Sequence, residues 1–525
     1  MAKLKAFLKQ RRVILGILIL ASAVRLIGLG SWPDGWFQDE AYAAYNAWAL
    51  MTEGIDSWGY HFPVYFVAWG SGMSVLYSYV AALLFRLFGS NLLVFRLPQA
   101  ILGILSVYAM YRLASELWDE RFGRLAALVL AINPWHIMNT RYALDANMAP
   151  GMFIFGALFL VYGLRKSHKY LVLSAIFLGL TLYCYALTWL IIPVFLLLFL
   201  LLYFKEIPRK WTTLLALAIL FLMAIPLMLF LLINHDYLPE IRTSFLSIPK
   251  LIGYRGAELN FRFLTENHDQ RVQIILEHQY DDVAYTASDL VGAYYLFTTP
   301  LWLFGVVNHL YRLVRNWKFG RNSLELVPLL WLVSAFGVCS LHFLVSMIHF
   351  NMVHIPIIFY GAYGLYRLAE ILRNKALVPV CLAFWCISFV LFGQRYITEP
   401  CSYYYNNTTD EAIEAAKEIA DGRQITIFGW PTVKYSILLW HELPRVSYYY
   451  QNVVYTGDPK WQEIETFEQF HYIADYEDWN EVTEDGIYII YNSYEEMFRD
   501  LGFELEMIND RYAVAVGPTA LTAIP

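Results

Sequence analysis

Charge is scarce in this chain, and so are the signatures that usually mark a soluble enzyme. Of its 525 residues 16% are charged and 58% hydrophobic, and the mean hydropathy is +0.45. Soluble cores of ordinary size cannot sequester so much apolar side chain, which excludes an ordinary soluble protein. The five cysteines, Cys184, Cys339, Cys381, Cys386 and Cys401, offer neither a disulfide framework nor a zinc spacing. Four of them lie in or at the edge of apolar runs, where a thiol packs as a small hydrophobe. No glycine-rich phosphate loop, internal repeat or low-complexity tract is present.

What the chain does have is apolar runs. They are about 17 to 22 residues long and recur between Val13 and Tyr396. At about 1.5 Å per residue each crosses or nearly crosses a hydrocarbon layer of roughly 30 Å. A spanning segment must satisfy its own backbone, so these runs are expected to be helices. The first follows a basic start (Lys3, Lys5, Lys9, Arg11, Arg12), yet no small-residue cleavage site precedes Ser31-Trp32-Pro33, so a retained helix is expected.

The ionic residues are unevenly shared. From Thr398 onward there are 23 acidic and 7 basic residues, which leaves 31 basic and 21 acidic before it. The basic share clusters between apolar runs, at Arg165-Lys166 with Lys169, Lys205 with Arg209-Lys210, Arg312 through Arg321, and Arg373 with Lys375. Cytoplasmic loops carry such clusters. Keeping all of them on one side requires that Met73 to Phe88 lie along the interface instead of crossing, which its Trp69, Tyr77, Tyr79 and Arg86 surroundings suit.

The expected spans are about eleven: 13–29, 93–115, 124–138, 148–164, 170–186, 188–204, 212–233, 290–311, 325–346, 352–371 and 376–396. An odd number places the N-terminus in the cytoplasm and the acidic tail outside, in a multi-pass protein of the plasma membrane. The expected division is a transmembrane domain, 1–397, with outer loops 30–92, 139–147 and 234–289, followed by a small extracytoplasmic α/β domain, 398–525. In the tail, β-rich runs (Gln424 to Phe428, Gly486 to Tyr491, Tyr512 to Val516) mix with amphipathic stretches (Asp410 to Ala420, Val433 to Glu442, Glu495 to Leu501). Asn406 and Asn407 each begin an N-x-Ser/Thr sequon.

Long outer loops in a compact membrane protein are usually functional. The first holds Trp36-Phe37-Gln38-Asp39-Glu40-Ala41-Tyr42, two carboxylates directly before a helical pattern from Ala41 to Met51. Acids at helix starts most often serve as caps, which orients the carboxylate as catalysis also requires. Adjacent side chains diverge, which excludes a dyad sharing one proton. A second group, Asn133-Pro134-Trp135-His136 and Arg141 to Asn147, sits between the third and fourth expected spans. Arg141 and Asp145 are spaced i, i+4 and are able to pair with each other. No carboxylate falls at the middle of an expected span, where an ion-coupled transporter usually carries one.

In this order, Asp39-Glu40, Gly54 to Pro63, Phe88-Gly89, Arg96-Leu97-Pro98, Asn133-Pro134 and Arg141 to Asp145 resemble the GT-C glycosyltransferases of the protein O-mannosyltransferase and aminoarabinose transferase type, glycosyltransferase family 39 and its bacterial relatives. The resemblance covers roughly the first 200 residues, with Asn351 to Pro356 and Gly361 to Gly364 echoing a late family segment. It implies a hexosyl- or pentosyltransferase that takes sugar from a polyprenyl-phosphate donor in the membrane lipid and passes it to a lipid, protein or wall-glycan acceptor. Asp39 is then the expected base, with Glu40 and Asp145 as further catalytic candidates. Arg141, Arg255, His349 and Tyr42 are the expected donor- or substrate-binding groups, and Arg242, Lys250, Arg262 and Arg271 are further cations on the outer side. Some relatives carry Lys in the segment matching Thr181 to Pro193, where this chain has Tyr183 to Trp189, so the phosphate contact stays unassigned. No metal site and no nucleic-acid partner are expected; a cofactor is not implied, and a divalent cation is left open. The competing functions are a lipid-linked glycan ligase and a transporter or flippase of lipid-linked sugar.

Overall fold

The computed structural model describes residues 2–254, 256–277, 292–315, 324–374, 376–398, 408–429, 431–455, 464–473 and 482–521. Asn406, Asn407, Cys401, Arg255 and part of the Arg312 to Arg321 cluster lie outside them. The principal helices, in chain order, are α1 (Ala2–Leu26), α2 (Gln38–Thr52), α3 (Leu76–Phe88), α4 (Leu92–Leu117), α5 (Glu120–Ala131), α6 (Pro134–Asn139), α7 (Asp145–Arg165), α8 (Tyr170–Leu182), α9 (Thr188–Tyr203) and α10 (Trp211–Asn234). They continue with α11 (Thr299–Arg315), α12 (Val327–Cys339), α13 (Asn351–Leu372) and α14 (Leu377–Thr398). The tail adds α15 (Thr409–Ala420), α16 (Pro431–Glu442), α17 (Val446–Asn452) and α18 (Glu495–Asp500).

Two compact units result. The first comprises residues 1–33, 96–228 and 256–401 and is helical; the second gathers 34–95, 229–255 and 402–525. Segments from the first long loop, from the second and from the tail therefore share one unit.

Among the described residues five helical segments are long and apolar enough to cross a membrane: Leu92–Leu117, Asp145–Arg165, Thr188–Glu206, Trp211–Asn234 and Leu377–Thr398. Shorter apolar helices are Leu76–Phe88, Tyr170–Leu182 and Val327–Cys339. The 13 residues of α3 span about 20 Å, too little for the hydrocarbon layer. Close approach of α11 and α13 depends on glycine. A Cβ at Gly364 would stand 1.9 Å from the Leu301 carbonyl oxygen, and one at Gly305 2.4 Å from that of Tyr360. Small residues at such crossings let backbones meet where lipid supplies no hydrophobic drive.

Three expected spans are interrupted. The run 124–138 breaks at Asn133, whose side chain caps α6 by accepting the His136 N–H at 3.0 Å, with Pro134 at the first helical position. In the run 290–311 the described residues 292–295 are not helical, and helix begins at Leu296, first as a 3-10 turn and then as α11. The run 325–346 ends at Cys339 because the following strip pairs with the segment before α11: the Asn260 N–H donates to Leu341 O (2.8 Å) and the Phe343 N–H to Glu258 O (2.9 Å).

In the second unit the tail forms a seven-stranded mixed sheet from β1 (Ile425–Phe428), β2 (Val454–Tyr455), β3 (Ile464–Phe467), β4 (Phe470–Ile473), β5 (Ile487–Tyr491), β6 (Glu504–Met507) and β7 (Tyr512–Val516), ordered β6-β7-β5-β1-β4-β3-β2. Its central strand β1 runs parallel to both β4 and β5. The outer pairs, formed by β6 with β7 and by β2 with β3, are antiparallel. Phe428, Ile490, Phe498 and Phe503 pack on one face, and β1 and β7 are buried throughout. The tail thus carries the mixture of strands and helices its alternating pattern predicts.

Candidate active site

The carboxylate pair divides its work. Helix α2 starts at Gln38, so Phe37 is the N-cap and Asp39 lies in the first turn instead of capping, contrary to the expectation from its position before Ala41. Glu40 takes the capping job: its Oε2 accepts the Phe37 N–H at 3.3 Å, and the side chain is fully buried. Reaching back from the third helical position satisfies a backbone donor that the helix itself leaves open. Asp39 is half-buried at the positive end of the helix dipole.

Behind this turn, α2 is clamped to the loop that follows it. Tyr42 is 2% exposed. Its hydroxyl donates to Val67 O (2.6 Å), lies 2.9 Å from Ser57 Oγ and accepts the Trp58 indole N–H at 3.2 Å. Burial pushes the phenol well above its usual range. The structure therefore places Tyr42, expected as a substrate contact, inside the scaffold of the loop. Asn46 adds two bonds, from its Nδ2 to Tyr42 O and from the Ser57 N–H to its Oδ1, both 2.9 Å. Asp56 Oδ1 accepts the N–H groups of Trp58 (3.0 Å) and Tyr60 (2.9 Å), closing the turn. Among the described residues its buried Oδ2 has no hydrogen-bond partner, and burial raises this acid to about 7. Glu53, in the last turn of the same helix region, accepts the N–H groups of Val446 and Ser447 in the tail.

In the first unit Arg141 has a structural occupation. Its guanidinium donates to the carbonyl oxygens of Val24 (2.7 Å), Ile27 (2.9 Å), Gly28 (3.0 Å) and Trp32 (3.0 and 3.2 Å). These include carbonyls that the end of α1 leaves unsatisfied, and a cation is favoured there. Arg25 stands beside it in sequence logic: buried, it bonds Ala131 O at 3.1 Å and approaches His136 Nδ1 at 2.7 Å. Asn133, His136 and Arg141 thus join α1, α5 and α6.

Asp145 is the first residue of α7, half-buried, with its Oδ1 2.7 Å from the Ala146 N–H. It lies near Cys184 in the turn between α8 and α9. Next in that turn, the Tyr185 ring lies 6.4 Å from the ring of His349. Asn147 and Asn351 are hydrogen-bonded at 3.0 Å, tying the start of α7 to the start of α13. The structure therefore brings Asp145, His349 and the Tyr183 to Trp189 segment together within this unit. His349 is 2.6 Å from Ser346 Oγ and stacks on His342 (4.3 Å), which in turn faces Glu258 at 3.4 Å. His354 is engaged through both ring nitrogens, with Tyr294 and with Met347 O.

Gln99 was not singled out by sequence, yet it anchors this region from α4, donating to Asn139 O (3.2 Å) and Asn147 O (2.8 Å). The available signal was a buried amide immediately after Arg96-Leu97-Pro98. The other cations expected on the outer side have local partners: Arg242 with Glu240 (2.9 Å) and the Tyr60 ring (4.0 Å), Lys250 with Asp236 (2.5 Å), Arg262 with Glu266 (3.8 Å) and Arg271 with Phe263 O (2.8 Å).

For a metal, the described residues offer one grouping, Glu414, His441 and Glu442. Lys417 Nζ already stands 2.9 Å from Glu442 and 3.6 Å from Glu414, which gives these carboxylates a cation without a metal.

Comparison with known proteins bears on the fold. Residues 73–237 match the family model described as dolichyl-phosphate-mannose-protein mannosyltransferase. ArnT from Cupriavidus metallidurans superposes with a TM-score of 0.56 at 11% identity, over 98% of this chain and 99% of that one. The same enzyme bound to undecaprenyl phosphate gives 0.56 at 12%, over 96% and 98%. The Archaeoglobus fulgidus oligosaccharyltransferase in complex with zinc and sulfate gives 0.54 at 15%, over 83% of this chain and 61% of that one. No curated protein sequence matches. A match that follows almost the whole of ArnT, together with the family match in the first half, shows that the chain has the GT-C fold of the protein O-mannosyltransferase and ArnT type.

Proposed function

We propose that the chain is a glycosyltransferase that draws its sugar from a polyprenyl-phosphate carrier on the extracytoplasmic side, with Asp39 as the base. The observation that carries this reading is the geometry at the start of α2: Glu40 bonds back to the Phe37 N–H, while Asp39 lies half-buried in the first turn at the positive end of the helix dipole. The donor class is supported by a GT-C relative crystallised with undecaprenyl phosphate. The acceptor hydroxyl attacks the anomeric carbon, Asp39 takes its proton, and the bond to the phosphate oxygen breaks. The electron pair leaves with the polyprenyl phosphate. A phosphate is a good leaving group near neutral pH, so one base suffices and no separate strong acid is needed. In-line displacement inverts the anomeric configuration, by analogy with single-displacement glycosidases.

Asp145 and His349, beside the Tyr183 to Trp189 segment, are the proposed donor-side groups, and Arg141 is proposed to act through position by holding the end of α1. Purified protein in lipid should transfer sugar from a polyprenyl-phosphate donor and give no product from a nucleotide sugar when no carrier lipid is present. Transfer from the nucleotide sugar alone would overturn this function.

A further inference from the structure

A cavity of about 630 Å³ opens within the first unit among α7, α8, α9 and the start of α10. Its volume falls in the range of about 300–1,000 Å³ typical of small-molecule sites. Leu160, Ser174, Leu178 and Phe199 line it, and Arg209 with Lys210 stand among its lining residues in the loop before α10. The wall formed by α7 and α8 is close-packed. A Cβ at Gly156 would come 2.7 Å from Leu178, and Ser174 Oγ donates to Gly156 O at 2.8 Å.

The two cations differ from those of the outer loops. Arg209 and Lys210 are exposed and, among the described residues, take part in no ion pair. Their loop is nonetheless fixed, because Pro208 O accepts the Lys210 N–H at 2.9 Å and the Thr213 hydroxyl at 2.6 Å. Trp211, 69% exposed, follows directly and is the residue type that anchors at a headgroup level. Apolar interior, two unpaired cations and an interfacial tryptophan are complementary to one kind of occupant.

We propose that this cavity is a binding site for one anionic glycerophospholipid, with an acyl chain among Leu160, Leu178 and Phe199 and its phosphate on Arg209 and Lys210. Basic pockets between membrane helices hold anionic headgroups by this combination. The site involves neither Asp39 nor Asp145, so the proposal stands or falls independently of the proposed reaction.

The test is native mass spectrometry of the full chain released from mixed micelles of phosphatidylglycerol and phosphatidylcholine. One phosphatidylglycerol should be retained per chain. At about fivefold per cation, its preference over phosphatidylcholine should be about twenty-five-fold. Replacing both cations (Arg209→Gln with Lys210→Gln) should leave binding but abolish the preference, and Ala216→Trp should displace both lipids by filling the cavity. Ala175→Phe serves the same purpose should Ala216→Trp fail to give monodisperse protein. Equal retention of the two lipids by the unaltered chain would overturn the proposal, as would a preference that survives loss of both cations. It would also be overturned if polyprenyl phosphate displaced phosphatidylglycerol with an affinity untouched by the double substitution, since the cavity would then serve a carrier tail.

Discussion

Glu53 Oε1 accepts the N–H of Val446 at 2.8 Å, and its Oε2 that of Ser447 at 3.1 Å, across 393 and 394 residues of sequence. A carboxylate after α2 thereby caps α17 in the tail. Burial works to raise this acid, but the hydrogen bonds from Ser447 and Val446 and the nearby Arg445 outweigh it and hold it below its usual value. Its contribution to stability is therefore present above the ordinary carboxyl range and is lost as pH falls through the depressed folded value. The group is half-buried at the surface, where solvent still screens it in part, so the effect is expected to be about 1 kcal/mol. Hydrogen exchange should report it: Glu53→Ala should lower the protection of the Val446 and Ser447 amides at neutral pH, and acidification of the unaltered chain should lower it too once the slower intrinsic exchange is divided out. Unchanged protection in the variant would mean that the cap is not formed.

Asp56 is expected to act in the opposite direction. Burial raises it to about 7 from 3.8, against the pull of the Tyr60 and Trp58 amides. Between those values the folded chain keeps a proton that the unfolded chain has released, so stability should fall as pH rises from about 4 to 7 and level off above. Asp56→Asn keeps an acceptor for the two amides and removes the titration. Melting curves taken across this range should be steeper for the unaltered chain than for the variant. Parallel curves would show that Asp56 is already ionised when folded.

Arg141 separates a structural cation from a phosphate ligand. Its planar fork reaches four carbonyl groups around the end of α1, a pattern an ammonium cannot reproduce. Arg141→Lys and Arg141→Ala should both lower stability, the latter on the order of 3 kcal/mol, with KM for the lipid donor little changed in whatever folds. A large rise in KM for Arg141→Lys at unchanged melting temperature would instead make Arg141 a donor contact.

Much of the architecture is legible in periodicity and charge, and the exceptions share a cause. Val433 to Glu442 is readable because its apolar side recurs at helical spacing, and the helix indeed covers Pro431–Glu442. Likewise Asn133-Pro134 announces a helix start by local chemistry alone. Hydropathy does not reveal that the apolar run after Cys339 leaves the helix, because the partners that draw it away are Glu258 and Asn260, some 80 residues earlier. The carbonyls that occupy Arg141 and the tail amides that occupy Glu53 are equally remote in sequence. At the candidate site the pair Asp39-Glu40 is visible as a pair, but which of the two caps is decided by a helix boundary that shifts by three residues from Ala41 to Gln38.

That boundary sets the last expectation. Glu40 is buried and bonded to the Phe37 N–H, whereas Asp39 occupies the first turn, half-buried, without the capping role. Asp39→Asn keeps the shape and removes only the basic carboxylate, so expression and melting should stay near normal while turnover falls by about two to four orders of magnitude. Glu40→Gln retains an acceptor for the Phe37 amide and should keep most activity, whereas Glu40→Ala should lower stability by about 1 kcal/mol. Asp145→Asn should raise KM for the donor more than it lowers kcat if this acid orients the donor as proposed. The decisive comparison is Asp39→Asn against Glu40→Gln in the same transfer assay. Undiminished turnover in the first with loss in the second would move the base from Asp39 to Glu40 and give the capping bond a catalytic meaning.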